Sequence, residues 1–346
     1  MKVVDYTSSV VDWRKQLKLN EHRTYFVISV FISIYIAIGL IVDLYIHPEF
    51  IQTPIPQALG MLVTFQVIPI ATLVLGLVAV VSILLTYALH DRIMLLGTEY
   101  HEIKPGAVRS IEEQQLLNVT EELKIAAGLR YMPKVYLIDA EYMNAFASGY
   151  SEKSALIAIT SGLLHKLDRS ELQAVIAHEL SHIRHHDIKL TLMASVLSNI
   201  ILIVLDIMFR SIIFSGRSRR RNDGGGFLVI LIFLLRLLLP VITVLLLLYL
   251  SRKREFMADA GAVELTRDNT PLAKALLKIS SDHTENKEKY ASIYHSTSHE
   301  EVRREAYIFD PTQAGISLQQ SIGNIFSTHP PLAARLQALG VMPCVK

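Results

Sequence analysis

From Phe227 to Leu250 the chain reads FLVILIFLLRLLLPVITVLLLLYL, apolar on every face of a helix. A span of the bilayer needs roughly 20 apolar residues. Three more stretches are long enough, over about Thr24–Ile46, Met61–Leu89 and Ile188–Phe214. The third carries Asn199 and Asp206, so for it a buried soluble helix is the stronger rival. The first runs past the length of a signal-peptide core and has no A-x-A site after it, so it reads as a retained anchor. Charged residues are only 19% of the chain, fewer than in an ordinary soluble domain. The net charge of +2 is too even to suggest nucleic acid as a partner. A single cysteine, Cys344, excludes an internal disulfide and a cysteine-based zinc cluster.

Lys2, Arg14, Lys15, Lys18 and Arg23 precede the first span, Arg92 follows the second, and Arg252–Arg254 follow the fourth. The loop after the first span has no Lys or Arg. The positive-inside rule then places residues 90–187 and 251–346 in the cytoplasm of a bacterial inner membrane. Arg217 and Arg219–Arg221, between spans three and four, argue against this. A hairpin that fails to cross fully would remove the conflict, and the loop would then suit anionic head groups. Asp206 and Arg236 fall at similar depth in such a hairpin and are expected to pair, with an Asp206–Arg210 pair as the rival.

The expected organisation is 1–89 for the N-terminal segment and two spans, 90–187 for one half of a soluble domain, 188–250 for two further spans, and 251–346 for the other half. The first half suggests a helix over about 108–129 and strands at Lys134–Ile138, Tyr142–Ala147 and Ala155–Thr160, the last two joined as a hairpin. A helix follows from Asp168, which has capping-box spacing to Glu171. The second half reads as mostly helical, with Thr270 as N-cap and Pro271 behind it. Its polar stretch from about Ser280 to Gln320 suggests a solvated helical face, with a lid or a partner surface as rivals.

The chemistry lies in AVIAHELSHIRHHD, from Ala174. His178, Glu179 and His182 form HExxH. On a helix, residues i and i+4 share one face, so two imidazoles can hold one zinc. Glu179 stands beside them, where it can take a proton from an activated water. His185 and Ile188 occupy the positions at which a metzincin has Gly and His, so that class is out. His186 with His182 is a rival pair that lacks a glutamate beside it. The best third ligand is Glu255, with Asp259 one turn on as an acceptor for a ligand's free N–H. The competing reading pairs Glu255 with Arg252 or Arg254 on a solvated face. His329 has three readings: an oxyanion donor, a partner of Arg335 or a carboxylate, or a surface residue before Pro-Pro.

Four strings, NAFASG from Asn144, AVIAHELSHIRHHD, SRKREFMADAGA from Ser251 and STHPPLAARLQAL from Ser327, make the chain resemble the HtpX family of bacterial membrane-bound zinc metallopeptidases. More distantly it is similar to the CAAX prenyl proteases and the mitochondrial Oma-type protease. The resemblance implies one Zn2+ on His178, His182 and Glu255, with Glu179 as general base. It implies that Asn144, Ala145 and Phe146 lie on an edge strand that receives substrate, and that His329 and Arg335 sit near the active centre. It also implies cleavage of misfolded or damaged membrane proteins, alongside the FtsH protease system. The expected fold is thus membrane α+β: four transmembrane helices and a zincin-like, mostly helical catalytic domain with a small antiparallel sheet. Compared with the family, the segment before the first span is long. Two rivals remain, a non-catalytic scaffold with structural zinc and an intramembrane protease. The latter needs an LDG-like aspartate that the chain lacks, and a structural site needs no base such as Glu179.

Overall fold

The computed structural model describes residues 13–50, 53–185, 254–297, 303–304, 306–316 and 329–341, with isolated positions between 206 and 238. Two compact units emerge. One takes Met1–Tyr25, His90–Thr191 and Leu248–Lys346; the other takes Phe26–Leu89 and Leu192–Leu247. Expected spans three and four, Arg236, the 217–221 loop and His186 lie outside the described residues or among the isolated positions.

Three helices, α1 (Trp13–Ile46), α2 (Ile55–Val63) and α3 (Ile70–Leu95), supply the Phe26–Leu89 part of the second unit. The expected second span begins later than Met61. Residues 61–63 close α2, Phe65 turns the chain at φ 57°, and Pro69 precedes α3. Among the described residues one helix is long and apolar enough to cross a membrane, Ile70–Leu89; the apolar part of α1, Ile28–Leu44, is shorter. Asp43 of α1 is fully buried and closes the start of α3. Its carboxylate accepts the Ala71 and Thr72 backbone N–H groups at 2.8 and 2.9 Å and the Thr72 hydroxyl at 2.7 Å. A carboxylate at a helix N-terminus meets orphan donors and the positive end of the dipole. Gly39, one turn earlier, allows the approach, because a Cβ there would lie 2.4 Å from the Thr72 Cα.

In the first unit the sheet runs β1 (Tyr100–Ile103), β2 (Lys134–Ile138), β4 (Leu156–Thr160), β3 (Ala145–Ser148). It is mixed, which corrects the expected antiparallel sheet. After β2 the chain goes first to the outer edge as β3, then β4 inserts between them. β4 therefore pairs antiparallel with β3 and parallel with β2. β1 was not expected; in YHEI only Ile103 is buried, so no alternation announces it.

α4 (Ile111–Ala126) is capped by Ser110, whose hydroxyl accepts from the Glu113 N–H. α5 (Ser161–Lys166) leads into α6 (Arg169–His185), where Asp168 and Glu171 close a reciprocal capping box at 2.9 and 3.0 Å. Leu172, Val175, Ile176, Leu180 and Ile183 of α6 pack into one core with the sheet.

Later in the chain come α7 over 254–266, α8 (Thr270–Glu285), α9 (Lys287–Ser296) and α10 (Leu332–Ala338). The N-cap of α8 is Asn269 rather than Thr270, and Asp268 accepts the Thr270 N–H at 2.9 Å. The polar stretch after Ser280 is only partly a solvated face. His283, Tyr290 and Tyr294 are buried and gather around Tyr142.

Replacing Asp43 by alanine strands two half-buried N–H groups and is expected to cost about 2 kcal/mol. Thermal unfolding in detergent reads it, and an unchanged midpoint would remove the capping role.

Candidate active site

α6 carries His178, Glu179 and His182 on its buried side, and α7 crosses it closely. Gly261 makes that crossing possible: a Cβ there would meet the Ser181 Oγ at 2.4 Å and Cβ at 2.9 Å. Ala258 and Ala262 are also buried. The small face brings Glu255, on the first turn of α7, over the histidines.

The His178 and His182 Nε2 atoms lie 3.1 Å apart, and each is 3.7 Å from a Glu255 oxygen. Three donors about 2.1 Å from one tetrahedral centre would sit roughly 3.4 Å apart. The trio therefore fits a single metal ion. Glu255 faces inward among these groups, against the reading that pairs it with Arg252 or Arg254 on a solvated face.

Behind His178, the Asp259 Oδ1 lies 2.9 Å from its Nδ1. Arg335, on α10, grips Asp259 from the far side. Its Nη2 and Nε donate to the two carboxylate oxygens at 2.6 and 2.9 Å, and its Nη1 donates to the Ile308 carbonyl at 2.6 Å. All three side chains are buried. The His329 Nδ1 is 3.5 Å from Glu255 Oε2. Sequence reasoning thus named a set that the fold brings together: His178, Glu179, His182, Glu255, Asp259, His329 and Arg335.

The electrostatics differ for each group. Burial drives His178 below its ordinary value, which keeps its imidazole neutral and able to ligate, although Asp259 pulls the other way. Burial would raise Glu255, but His329, His182 and Arg335 outweigh it and hold the carboxylate ionised. Asp259 is likewise held low against its burial, mainly by Arg335. Glu179 goes the opposite way. Burial, helped by Glu255, pushes it up to about 8, against His182, Arg335 and the Ala147 amide.

The outer edge of the sheet lies over this site, and Asn144, Ala145 and Phe146 are on it or just before it. Their outward groups are already engaged. The Ala145 carbonyl accepts the Ile308 N–H at 2.9 Å, and the Asn144 amide meets Phe309. Tyr307, Ile308 and Phe309 were missed in the sequence. Their apolar run was the available signal, in a stretch that reads as polar overall.

Residues 110–342 match the model for peptidase family M48. This protein belongs to peptidase family M48. The chain is 41% identical over 330 residues to a protease HtpX homolog of Helicobacter pylori, covering 95% of this chain and 98% of that one. It is 36% identical over 243 residues to a protease HtpX homolog of Dictyoglomus thermophilum, covering 69% and 74%. Among solved structures it is similar to Ste24p of S. mikatae, with TM-score 0.46, 20% identity, and coverage of 90% of this chain and 67% of that one. M48 enzymes are metallopeptidases, and the His-His-Glu cluster is where this one could hold a metal.

Two outcomes follow. Gly261→Val forces α7 off α6, so metal stoichiometry should fall well below one per chain; full occupancy by elemental analysis would contradict the crossing argument. Folding raises the Glu179 pKa from 4.5 to about 8, so the folded state binds the extra proton. Its stability is then lost as pH rises between those values. In metal-free protein, denaturant melts at pH 5 and pH 8 should show wild type losing stability relative to Glu179→Gln. Parallel pH profiles would refute the shift.

Proposed function

We propose that this M48 protein is a zinc-dependent endopeptidase of gluzincin type, cutting unfolded segments of membrane proteins at the cytoplasmic face. The observation that carries the reading is a buried, protonatable Glu179 beside three converging donors of which one is a carboxylate. A structural site has no use for such a group. The donor set, two imidazoles and one carboxylate, is a zinc set with room for a fourth ligand. The helix Ile70–Leu89 supports action next to a bilayer.

A zinc ion held by His178, His182 and Glu255 would supply Lewis acidity and favour the ionised form of Glu179. Glu179 then removes a proton from the attacking water and hands it to the leaving amine. Asp259 fixes the His178 ring, and Arg335 fixes Asp259. His329 donates to the carbonyl oxygen as negative charge grows there. Around Asn144, Ala145 and Phe146 the edge of β3 pairs with an extended substrate, reading backbone and tolerating many side chains.

Glu179→Gln preserves shape and leaves the donors intact. Purified in detergent with zinc restored, it should bind metal like wild type yet cut unfolded casein slower by a factor on the order of 10³. Cleavage at the wild-type rate would sink the assignment of the base.

A further inference from the structure

Residues 306–309, Ala-Tyr-Ile-Phe, lie along the outer edge of β3. Tyr307 bridges Phe146 in antiparallel register, with the two rings edge-on at 5.8 Å. The Ile308 N–H donates to the Ala145 carbonyl at 2.9 Å. Asn144 clasps Phe309 from both sides: its Nδ2 donates to the Phe309 carbonyl at 3.0 Å, and its Oδ1 accepts the Phe309 N–H at 3.4 Å. That Oδ1 also accepts the Ala145 N–H at 3.1 Å. Inward, the Asn144 carbonyl is spent on the Thr160 N–H of β4. In an antiparallel ladder, inward and outward groups alternate along the strand. Ala145 and Ala147 therefore turn their groups outward, and both groups of Ala145 are engaged.

We propose that segment 306–309 is an internal occupant of the substrate edge, and that extended peptides bearing aromatic or branched aliphatic side chains gain the edge by displacing it. This rests on the peptidase reading above. The segment is held as a bound peptide would be, by backbone pairing and by a primary amide that grips both polar groups of one residue. A substrate strand needs the same Ala145 carbonyl and the same Asn144 amide. The two occupants therefore compete.

The side chains of the segment show what the edge accepts. Tyr307, Ile308 and Phe309 are at most 2% exposed. Tyr307 rests on Phe146 and meets Tyr142 hydroxyl to hydroxyl at 3.2 Å, and Phe309 lies 5.0 Å from the His283 ring. These are places for aromatic groups, which folded proteins bury and unfolded ones expose. The Ile308 carbonyl also takes an N–H of Arg335, the guanidinium that braces Asp259 behind His178. Displacement of the segment therefore frees a donor beside the metal ligands.

The full chain, zinc-loaded in detergent, tests this. Phe146→Cys with Tyr307→Cys, in a Cys344→Ser background, places a cysteine pair directly across the ladder at a non-hydrogen-bonded position, where the spacing suits a disulfide. The probe is a fluorescein-labelled peptide carrying Ala-Tyr-Ile-Phe, read by anisotropy with Glu179→Gln added so that nothing is cut. The oxidised form should bind it roughly tenfold or more weaker than the form reduced with a phosphine, at equal zinc content. Equal binding in both forms would overturn the proposal. Ile308→Pro, which deletes the donor to Ala145, is the second arm and decides alone if the reduced cysteine variant binds no peptide. Tighter peptide binding than wild type is expected there, and unchanged or weaker binding overturns the proposal. Should wild type cut nothing while the disulfide still blocks the peptide, the peptidase reading fails and the internal occupant stands.

Discussion

The buried ion pair between Arg335 and Asp259 is the constraint on which the rest of the site depends. A guanidinium and a carboxylate away from water are costly unless every donor and acceptor is used. Here Arg335 spends two donors on Asp259 and a third on the Ile308 carbonyl, and Asp259 turns one oxygen to His178. The requirement to satisfy both charges ties α10, α7, α6 and the 306–309 segment to a single geometry. Removing either partner would leave the other charge buried and alone, so the pair constrains position more than it adds stability.

That same electrostatic setting lets two glutamates in one pocket do different work. Glu255 lies among His182, His329 and Arg335 and stays ionised, the form in which a carboxylate can hold a metal. Glu179 has the same burial but fewer compensating contacts, and its charge is further opposed by Glu255. Environments that push two carboxyls apart are how a site assigns one group to hold charge and another to carry protons. The division depends on the α6–α7 crossing at Gly261 and Ser181, which sets the distance of Glu255 from both histidines.

Much of this was legible in the sequence, and the reason is physical. HExxH on a helix fixes three side chains relative to one another without any tertiary information, and Glu255 with Asp259 repeats the i,i+4 logic on a second helix. The four strings that carry the resemblance added His329 and Arg335, whose role no local spacing reveals. What stayed hidden depends on partners far along the chain. β1 has no alternation, because only Ile103 faces the core. The parallel pairing of β2 with β4 follows from where β3 lies, not from any strand's own pattern. Asp43 lies in an apolar helix, and its role depends on the start of α3 coming against it. Tyr307–Phe309 sat in a stretch whose average polarity masked a three-residue apolar run.

If segment 306–309 covers the substrate edge as proposed, it bears on how a peptidase that reads backbone is kept in check. Backbone pairing with a strand edge discriminates little between peptides. An open edge beside a metal centre would accept any extended chain that diffuses to it. An internal strand sets a threshold instead. Under the proposal, a substrate must replace the burial of Tyr307, Ile308 and Phe309 as well as their hydrogen bonds. Polar linkers and frayed termini can match the hydrogen bonds but not the apolar area, which is worth about 25 cal/mol per Å2. Segments torn from a hydrophobic core or from a membrane helix can match both. Under the proposal, selectivity for damaged proteins needs no recognition motif: it follows from the chemistry of the strand that has to be displaced, and from the coupling of that strand through Arg335 to Asp259 and His178.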